Sequence, residues 1–382
     1  MSSPGEKRLR LLVLWGPSHF EEFLQPLLLD GDRYDVQLVS GDRSSQRSEH
    51  AASWGRLLSL RARLARGEFD LVVSGPVQNA AWPRPKGFWT SLAQAARYLT
   101  TRSRMLDTWW TPWLLSGPAR GKVPLAVVDF LDTSFVVPKD FPLLQAATLY
   151  FKINLYFWPR RSLMPLENLY GQRRVIDLTT KLRPLTNGVP KSRIPETVRP
   201  MKDRDVDLLF TGTIQPGRSA DDPNPFGDLT HNPIRQQVYE RVLKLRDQGK
   251  YKVVCSNERV SKAEYFELLQ RAKIVVCTES FGCETWRHYE AGAAGAVVLA
   301  NWPYAQNYMP YEPDVHALYF SLIGDDFERA VERALADPAK LDEISRNVRA
   351  FTLAHKDRGH VGDMVVQETL REWRKRSGGQ AA

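Results

Sequence analysis

Residues 274–300 read IVVCTESFGCETWRHYEAGAAGAVVLA, and the fold assignment starts from this stretch. The apolar runs at 274–277 and 296–300 predict two buried strands, and a helical pattern begins between them near Glu284. The small residues Gly292 and Gly295 suit a helix that packs closely against a sheet. A strand, a helix and a second strand form a β-α-β unit, so we predict a parallel sheet covered on both faces.

The same alternation extends to both sides of this stretch. Further strands are predicted at 206–211 and 252–255, and helices are predicted to begin at Pro233 and Lys262. Ser261 and Glu264 have the S-x-x-E spacing of a capping box, which supports the second helix start. Three more helices are expected at 326–336, 341–353 and 361–375. We therefore predict a Rossmann-like domain over residues 205–360.

The first half of the chain shows a similar rhythm. Apolar runs at 9–15, 34–40, 69–74 and 123–129 predict strands separated by helices, and runs at 149–157 and 174–178 are expected to complete the sheet. We predict a second Rossmann-like domain over residues 1–186. A proline-rich stretch then indicates a linker at 187–204. Residues 361–382 are expected to form a helix and tail that pack back on the N-terminal domain.

Length and composition exclude several classes of protein. A chain of 382 residues, 43% hydrophobic and 25% charged, is globular and too long for one hydrophobic core. Cys255, Cys277 and Cys283 form no C-x-x-C pair, which argues against a disulfide framework or a cysteine zinc site. No apolar run approaches the length of a membrane span, and the first is too short for a signal peptide. We expect a cytoplasmic protein.

The net charge of +9 suits a polyanionic partner: nucleic acid, an anionic membrane or a phosphorylated small molecule. One segment, from Arg97 to Trp113, interleaves arginines with tryptophans. It suits peripheral contact with the inner membrane face, a lipid-linked acceptor, stacked sugars or single-stranded nucleic acid, or it is a helix that covers the sheet. No groove-reading motif accompanies it, so we do not expect a nucleic-acid partner.

Parallel sheets bind ligands at the carboxyl ends of their strands, so the residues that follow each strand are the candidates. Gly212, Thr213 and Gly282 occupy such positions, where small residues and free backbone N–H groups suit a phosphate. Arg287 and Glu290 share a helix face; a guanidinium can bind phosphate, and a carboxylate can accept ribose hydroxyls. The alternative is that these are ordinary turn residues and a surface ion pair.

The segment from Phe281 and Gly282 through Trp286–Ala291 to Leu299 resembles the donor-binding signature of GT-B glycosyltransferases. It resembles in particular the CgeB-like group, with the pattern G-F-G-x-x-x-x-R-x-x-E-x-x-x-x-G. The resemblance implies an α/β chain in which two Rossmann-like domains with parallel sheets face each other across a cleft. It also implies that the C-terminal domain holds a nucleotide-sugar donor through Gly212, Thr213, Arg235, Gly282, Arg287 and Glu290.

The sequence departs from the retaining branch of this superfamily at one point. There, two glutamates stand eight positions apart, and the second binds the ribose. Here Glu279 and Glu290 are eleven apart, and Gly282 stands eight positions before Glu290. The resemblance gives the ribose role to Glu290 and leaves the first role open between Glu279 and Glu284.

Candidates for the acceptor side follow strands of the first domain: His19, Asp129 and Asp132. An inverting transfer needs a general base near the acceptor hydroxyl. A retaining transfer does not strictly require one, so these residues could instead orient the acceptor or cap a helix.

Asp203, Asp205 and Asp207 have the spacing of a D-x-D metal site, but they lie at the amino end of the strand 206–211, away from the expected ligand end. We expect no metal and no cofactor other than the nucleotide-sugar co-substrate.

The resemblance and the residues together predict a metal-independent, hexosyltransferase-like glycosyltransferase (EC 2.4). It would transfer a sugar to a glycan, a lipid-linked molecule or a small molecule, with retention of configuration favoured. The alternative is a non-catalytic protein that binds a sugar nucleotide or a polyanion through a degenerate GT-B site.

Overall fold

The computed structural model describes residues 8–15, 30–40, 54–76, 113–131, 133–212, 214, 233–258, 260–279 and 282–378. The chain divides into two compact units. The N-terminal unit comprises Met1–Leu131, Phe135–Pro184 and Gly362–Ala382, and the C-terminal unit comprises Asp132–Ser134 and Leu185–Val361.

A six-stranded parallel sheet forms the centre of the N-terminal unit, in the order β2-β1-β3-β4-β5-β7. The unit contains the strands β1 (Leu9–Trp15), β2 (Tyr34–Ser40), β3 (Leu71–Ser74), β4 (Leu125–Asp129), β5 (Leu149–Lys152), β6 (Leu155–Tyr156) and β7 (Leu182–Pro184). Consecutive β1 residues, Leu11 to Leu14, are all buried, as expected for a strand with both faces covered.

Short helices surround this sheet. They are α1 (Trp54–Ala65), α2 (Phe141–Ala146), α3 (Pro159–Ser162), α4 (Met164–Tyr170) and α5 (Gln172–Val175). The strand predicted at 174–178 is wrong, because these residues are helical and the sheet is completed by β7 instead. The run predicted at 149–157 is two strands separated by a turn, in which Asn154 has a φ of 55°.

The C-terminal unit contains a five-stranded parallel sheet in the order β13-β11-β10-β8-β9. The five strands of this sheet are β8 (Val206–Thr211), β9 (Val253–Ser256), β10 (Ala272–Cys277), β11 (Val297–Asn301) and β13 (Ala317–Phe320), and the unit also contains the two-residue strand β12 (Ala305–Gln306), which is not part of the sheet. In β10, Ile274 and Val276 pack in one hydrophobic cluster, and Val275 and Cys277 pack in another. Alternate residues therefore contact opposite layers, which explains the unbroken apolar run.

Helices cover both faces of this second sheet. They are α6 (Pro233–Asp247), α7 (Lys262–Arg271), α8 (Trp286–Ala293), α9 (Asp326–Ala336) and α10 (Pro338–His355), and α11 (Arg358–Gly378) follows. Gly292 in α8 permits close packing against α10 and a neighbouring loop: a Cβ there would lie 2.5 Å from the hydroxyl oxygen of Thr352 and 2.7 Å from that of Tyr311. The expected α/β class, with two Rossmann-like parallel sheets, is confirmed.

Candidate functional site

A cavity of about 600 Å³ lies within the C-terminal unit, at the carboxyl ends of β8 and β9 and the beginning of α8. Its lining includes five of the residues singled out from the sequence, which are Gly212, Arg235, Gly282, Arg287 and Glu290. The sixth, Thr213, is outside the described residues. Carboxyl ends of parallel strands are where such sheets bind ligands.

Helix α8 begins later than predicted, at Trp286, because Thr285 caps it. The Thr285 hydroxyl accepts a hydrogen bond from the backbone of His288, and His288 Nδ1 accepts one from Thr285 N at 3.0 Å. Burial lowers the pKa of His288 to about 4, so its ring is neutral at pH 7 and can accept this bond. The cap places Arg287 in the first turn and Glu290 one turn later, and both line the cavity.

The carboxylate of Glu290 is buried and held by two partners. Arg193 Nη1 donates to Oε1 at 2.6 Å, and the Tyr265 hydroxyl donates to Oε2 at 3.0 Å. Arg193 also lies over the ring of Trp286, 4.6 Å from its centroid. Two ionised oxygens offer about four acceptor positions, so Glu290 keeps capacity for hydroxyl groups of a ligand.

The cavity also contains two neighbouring guanidinium groups. A Cβ built on Gly212 would lie 3.4 Å from Arg287 Nη2, so Arg287 lies over the end of β8. Burial lowers the pKa of Arg235 to about 10, and the nearby charge of Arg287 contributes to the decrease. Arg235 is therefore still protonated at pH 7. Two cations brought together in a partly buried cavity favour a bound anion.

Two buried polar atoms of residues that line this cavity lack a hydrogen-bond partner among the described residues. Within the described part of the chain, Arg287 Nε is buried without a hydrogen-bond partner, and so is Thr211 Oγ1 at the end of β8. Buried polar atoms rarely remain unpaired unless a ligand, ion or water satisfies them. By contrast, the backbone N–H of Gly212 donates to Ser256 O at 3.1 Å. This N–H is therefore not available to a phosphate. What Gly212 contributes to the cavity is the space left by the absence of a side chain.

The two candidates for the first glutamate differ in position. Glu284 lines the cavity, is buried and accepts a hydrogen bond from the Tyr289 hydroxyl. Glu279 is not part of the cavity lining and forms reciprocal hydrogen bonds with Asn301, at 2.9 and 3.0 Å. Burial raises the pKa of Glu279. The geometry favours Glu284 as the second carboxylate near the ligand.

Asp129, expected on the acceptor side, is completely buried at the end of β4 in the N-terminal unit. Its carboxylate receives the Lys152 ammonium at 3.1 Å, the Tyr150 hydroxyl at 2.8 Å and the backbone N–H of Leu131 at 2.8 Å. These contacts are typical of a structural ion pair, and a role for Asp129 as a base stays a prediction. His19 and Asp132 are outside the described residues.

Two of the three D-x-D-like aspartates, Asp205 and Asp207, form ion pairs at the amino end of β8. Asp205 is bound by Arg271 and by Lys252, which hold the pKa of its carboxyl well below the usual range. Asp207 is bound by Lys273 at 2.7 Å. Across the described residues, no three His, Cys, Asp or Glu side chains approach closely enough to hold a metal ion. Metal independence stays a prediction.

The segment between Arg97 and Trp113 lies outside the described residues except for Trp113, which packs beside Arg61 with its ring 4.3 Å from the guanidinium carbon. In the described part of the chain, no helix combines the length and apolarity that crossing a bilayer requires.

Sequence reasoning missed Arg193, the ion-pair partner of Glu290. It lies in a proline-rich stretch without hydrophobic periodicity, where no local pattern distinguishes it from a linker arginine. Tyr265 could have been found, because it is in the first turn of α7, close to the carboxyl end of the sheet.

Comparison with known proteins finds a family match within the C-terminal unit. Residues 228–365 match the family model described as glycosyl transferase-like, and this segment includes Arg235, Gly282, Arg287 and Glu290. The expected resemblance to glycosyltransferases is confirmed, whereas the CgeB-like subgroup stays a prediction. No curated protein sequence matches the chain significantly.

Solved structures match the chain over nearly its full length at low sequence identity, and one of them has a TM-score above 0.5. A glycosyltransferase from Rickettsia africae is 10% identical with a TM-score of 0.51, and the match covers 97% of this chain and 99% of that one. HepE from Anabaena, in complex with UDP-glucose, is 13% identical with a TM-score of 0.44, covering 94% and 99%. Sucrose-phosphate synthase from Thermosynechococcus elongatus is 12% identical with a TM-score of 0.41, covering 98% and 100%.

Proposed function

We propose that the protein is a glycosyltransferase that takes its sugar from a nucleotide-diphosphate donor bound in the cavity of the C-terminal unit. The observation that carries this proposal is the buried Nε of Arg287, which has no hydrogen-bond partner among the described residues and lies near the second cation Arg235, in the segment that matches the glycosyl transferase-like family. A diphosphate between these two guanidinium groups would satisfy the orphaned donor and neutralise both charges.

The contacts around Glu290 order the rest of the donor along the cavity. The ribose hydroxyls would be accepted by Glu290, one helical turn from Arg287. The base would then lie toward Tyr265 and Phe266, which line the cavity on the side of α7. The sugar would lie toward Glu284. In this arrangement Arg287 binds the diphosphate, Glu290 the ribose and Glu284 the sugar.

In the proposed reaction, the bond between the anomeric carbon and the diphosphate oxygen breaks, and a bond to the acceptor oxygen forms. Negative charge grows on the leaving diphosphate, and Arg235 and Arg287 are already in place to stabilise it without a metal ion. We propose retention of configuration and hexosyltransferase-like activity. His19, Asp129 and Asp132 remain the candidates for binding the acceptor or its proton.

We propose a cytoplasmic location and an acceptor that is a glycan, a lipid-linked molecule or a small molecule. The segment from Arg97 to Trp113 remains a candidate for peripheral membrane contact. The second candidate function is a protein that binds a sugar nucleotide without transferring the sugar, which the departure from the eight-residue glutamate spacing favours.

Incubation of the full chain with UDP- and GDP-sugars tests the proposal, with release of nucleoside diphosphate as the readout. Arg287→Ala should lower the rate about 100-fold or more, because one preorganised donor to the developing charge is lost. The melting temperature should change little, because Arg287 Nε has no hydrogen-bond partner in the described part of the chain. EDTA should leave the rate unchanged.

Arg329→Ala is the matched control, since this exposed arginine of α9 is not part of the cavity lining. Full activity in Arg287→Ala would contradict the site assignment. A thermal shift with nucleoside diphosphates but no release from any donor, even with mixed glycan acceptors, would favour the binding protein.

A further inference from the structure

Large apolar side chains are exposed along residues 157–176, in α4 and immediately before α3 and after α5. Six of the twelve exposed large hydrophobic side chains of the described residues fall between 157 and 176, and they are Phe157, Trp158, Met164, Leu169, Tyr170 and Ile176. The exposed fraction is 70% for Trp158, 63% for Leu169 and 56% for Phe157. Single exposed apolar residues are ordinary, but a concentration of this kind marks an interaction site.

These helices are firmly anchored on their other side. Leu163, Leu166 and Val175 are completely buried and belong to the hydrophobic core of the N-terminal unit. Phe141 and Tyr170 stack with their ring centroids 4.0 Å apart. The exposed side chains therefore stand on a folded framework, and replacing them should cost little stability.

The same helices also carry an excess of positive charge. Arg160, Arg161, Arg173 and Arg174 are all exposed, and the one carboxylate between 157 and 176, that of Glu167, is paired with Arg160 at 2.9 Å. Within the described residues, the other three arginines have no carboxylate partner, and Arg161 lies over the Trp158 ring at 5.7 Å. Cations among exposed aromatic and aliphatic groups complement an anionic, partly apolar surface.

The mixture of side chains favours a membrane over other polyanions. Single-stranded nucleic acid would stack on Trp158 and pair with the arginines, but it offers nothing apolar for Met164, Leu169 and Ile176. A bilayer interface satisfies all of them, because arginines bind lipid phosphates while aliphatic and aromatic groups enter the acyl boundary.

We propose that this surface, the exposed side chains of residues 157–176, binds the protein peripherally to membranes that contain anionic lipids. Trp158 and Leu169 insert into the interface, and Arg173 and Arg174 contact the headgroups. This binding is separate from donor chemistry, since the whole lining of the donor cavity is in the C-terminal unit.

Co-sedimentation of the full chain with vesicles tests the proposal. We expect binding to vesicles of equal phosphatidylcholine and phosphatidylglycerol, and weak binding to phosphatidylcholine alone. Trp158→Ser with Leu169→Ser should lower the vesicle affinity about tenfold or more, because two apolar side chains that enter the bilayer are lost. Arg173→Glu with Arg174→Glu should lower it by a similar factor and weaken its salt dependence.

Two controls separate this surface from general effects. Ile323→Ser removes an exposed apolar side chain of the C-terminal unit, and Lys202→Glu with Lys244→Glu changes the net charge equally elsewhere. Both controls should bind like the unaltered protein, and all variants should release nucleoside diphosphate from the donor at the unaltered rate. Absence of binding to anionic vesicles, or equal binding by the surface variants and the controls, would overturn the proposal.

Discussion

Two glycines of the C-terminal unit have different physical reasons to be glycine. Gly212 borders the cavity, and a Cβ there would make only an ordinary contact, 3.4 Å from Arg287 Nη2. Gly188 has a φ of +63°, and a Cβ there would lie 2.9 Å from the carbonyl oxygen of Lys356. The first position leaves space for a ligand, and the second is required by the backbone.

We therefore predict that one alanine substitution affects nucleotide binding and the other affects stability. Gly212→Ala should weaken binding of a nucleoside diphosphate about tenfold or more without lowering the melting temperature, because the methyl group takes up space beside Arg287. Gly188→Ala should lower the free energy of unfolding by at least about 1–2 kcal/mol, since alanine is strained at positive φ. Calorimetric titration and denaturant unfolding measure the two quantities. A destabilised Gly212→Ala protein with normal nucleotide affinity would contradict this interpretation.

At the same scale, residues whose place in the cavity follows from local spacing could be predicted from the sequence. Arg287 and Glu290 are three positions apart, about one helical turn, so the spacing alone places them on a common face. The pairing of Glu290 with Arg193 joins positions 97 residues apart and depends on how the chain folds back. No periodicity encodes such a contact.

Among the helices, α8 has a start that depends on the protonation of one side chain. His288 takes the place of the usual glutamate or glutamine of a capping box, and it accepts its hydrogen bond only when the ring is neutral. Burial holds its pKa near 4, against 6.5 for the unfolded chain. Between these two values the unfolded state binds more protons, so the free energy of unfolding decreases as the pH falls from 6.5 to 4.

His288→Gln should remove this dependence, because glutamine keeps the acceptor but does not titrate. We expect the difference in unfolding free energy between the two proteins to be constant above pH 6.5 and to change by up to about 1.4 kcal/mol per pH unit below it. Urea unfolding at a series of pH values measures this difference. A difference that stays constant down to pH 4 would show that the cap tolerates a charged histidine.

Elements with strong local signals are predicted well. Strands β1, β2 and β8 and the starts of α6 and α7 lie where apolar runs, proline and the capping box indicate. The errors fall where the local signal is weak. Strand β7 is only three residues long and includes Pro184. The four apolar residues of β13 are too few for periodicity to distinguish a strand from a helix. The helical segment that replaces the strand expected at 174–178 exposes Ile176, so its apolar residues do not report burial in a sheet.

For the molecule as a whole, the main feature is that the N-terminal unit includes the end of the chain. Residues from Gly362 onward belong to it, and Asp363 accepts hydrogen bonds from Arg33 and from the Tyr34 hydroxyl, both at 2.7 Å. Val365, Val366 and Leu370 of α11 are buried. The final helix is therefore an integral part of a unit that begins more than three hundred residues earlier.

Deletion of residues 362–382 should destabilise the N-terminal unit by about 5 kcal/mol or more, because three buried aliphatic side chains and the partner of Arg33 are lost. Nucleoside diphosphates should still bind, since the cavity lies within residues 185–361. Limited proteolysis with mass spectrometry should show new cleavage sites only in the N-terminal unit. Proteolysis that begins in the C-terminal unit would contradict this assignment.

The ends of the C-terminal unit are neighbours: Val189 N donates to Lys356 O at 2.7 Å, and Arg358 N donates to Val189 O at 3.3 Å. Because the two ends of the C-terminal unit are adjacent, the N-terminal unit needs only a short connection, about the length of a turn, to accommodate the inserted unit. The C-terminal unit could therefore be exchanged between related proteins without lengthening either connecting segment. Chimaeras that exchange this unit between proteins should therefore be joined at Val189 and Asp357.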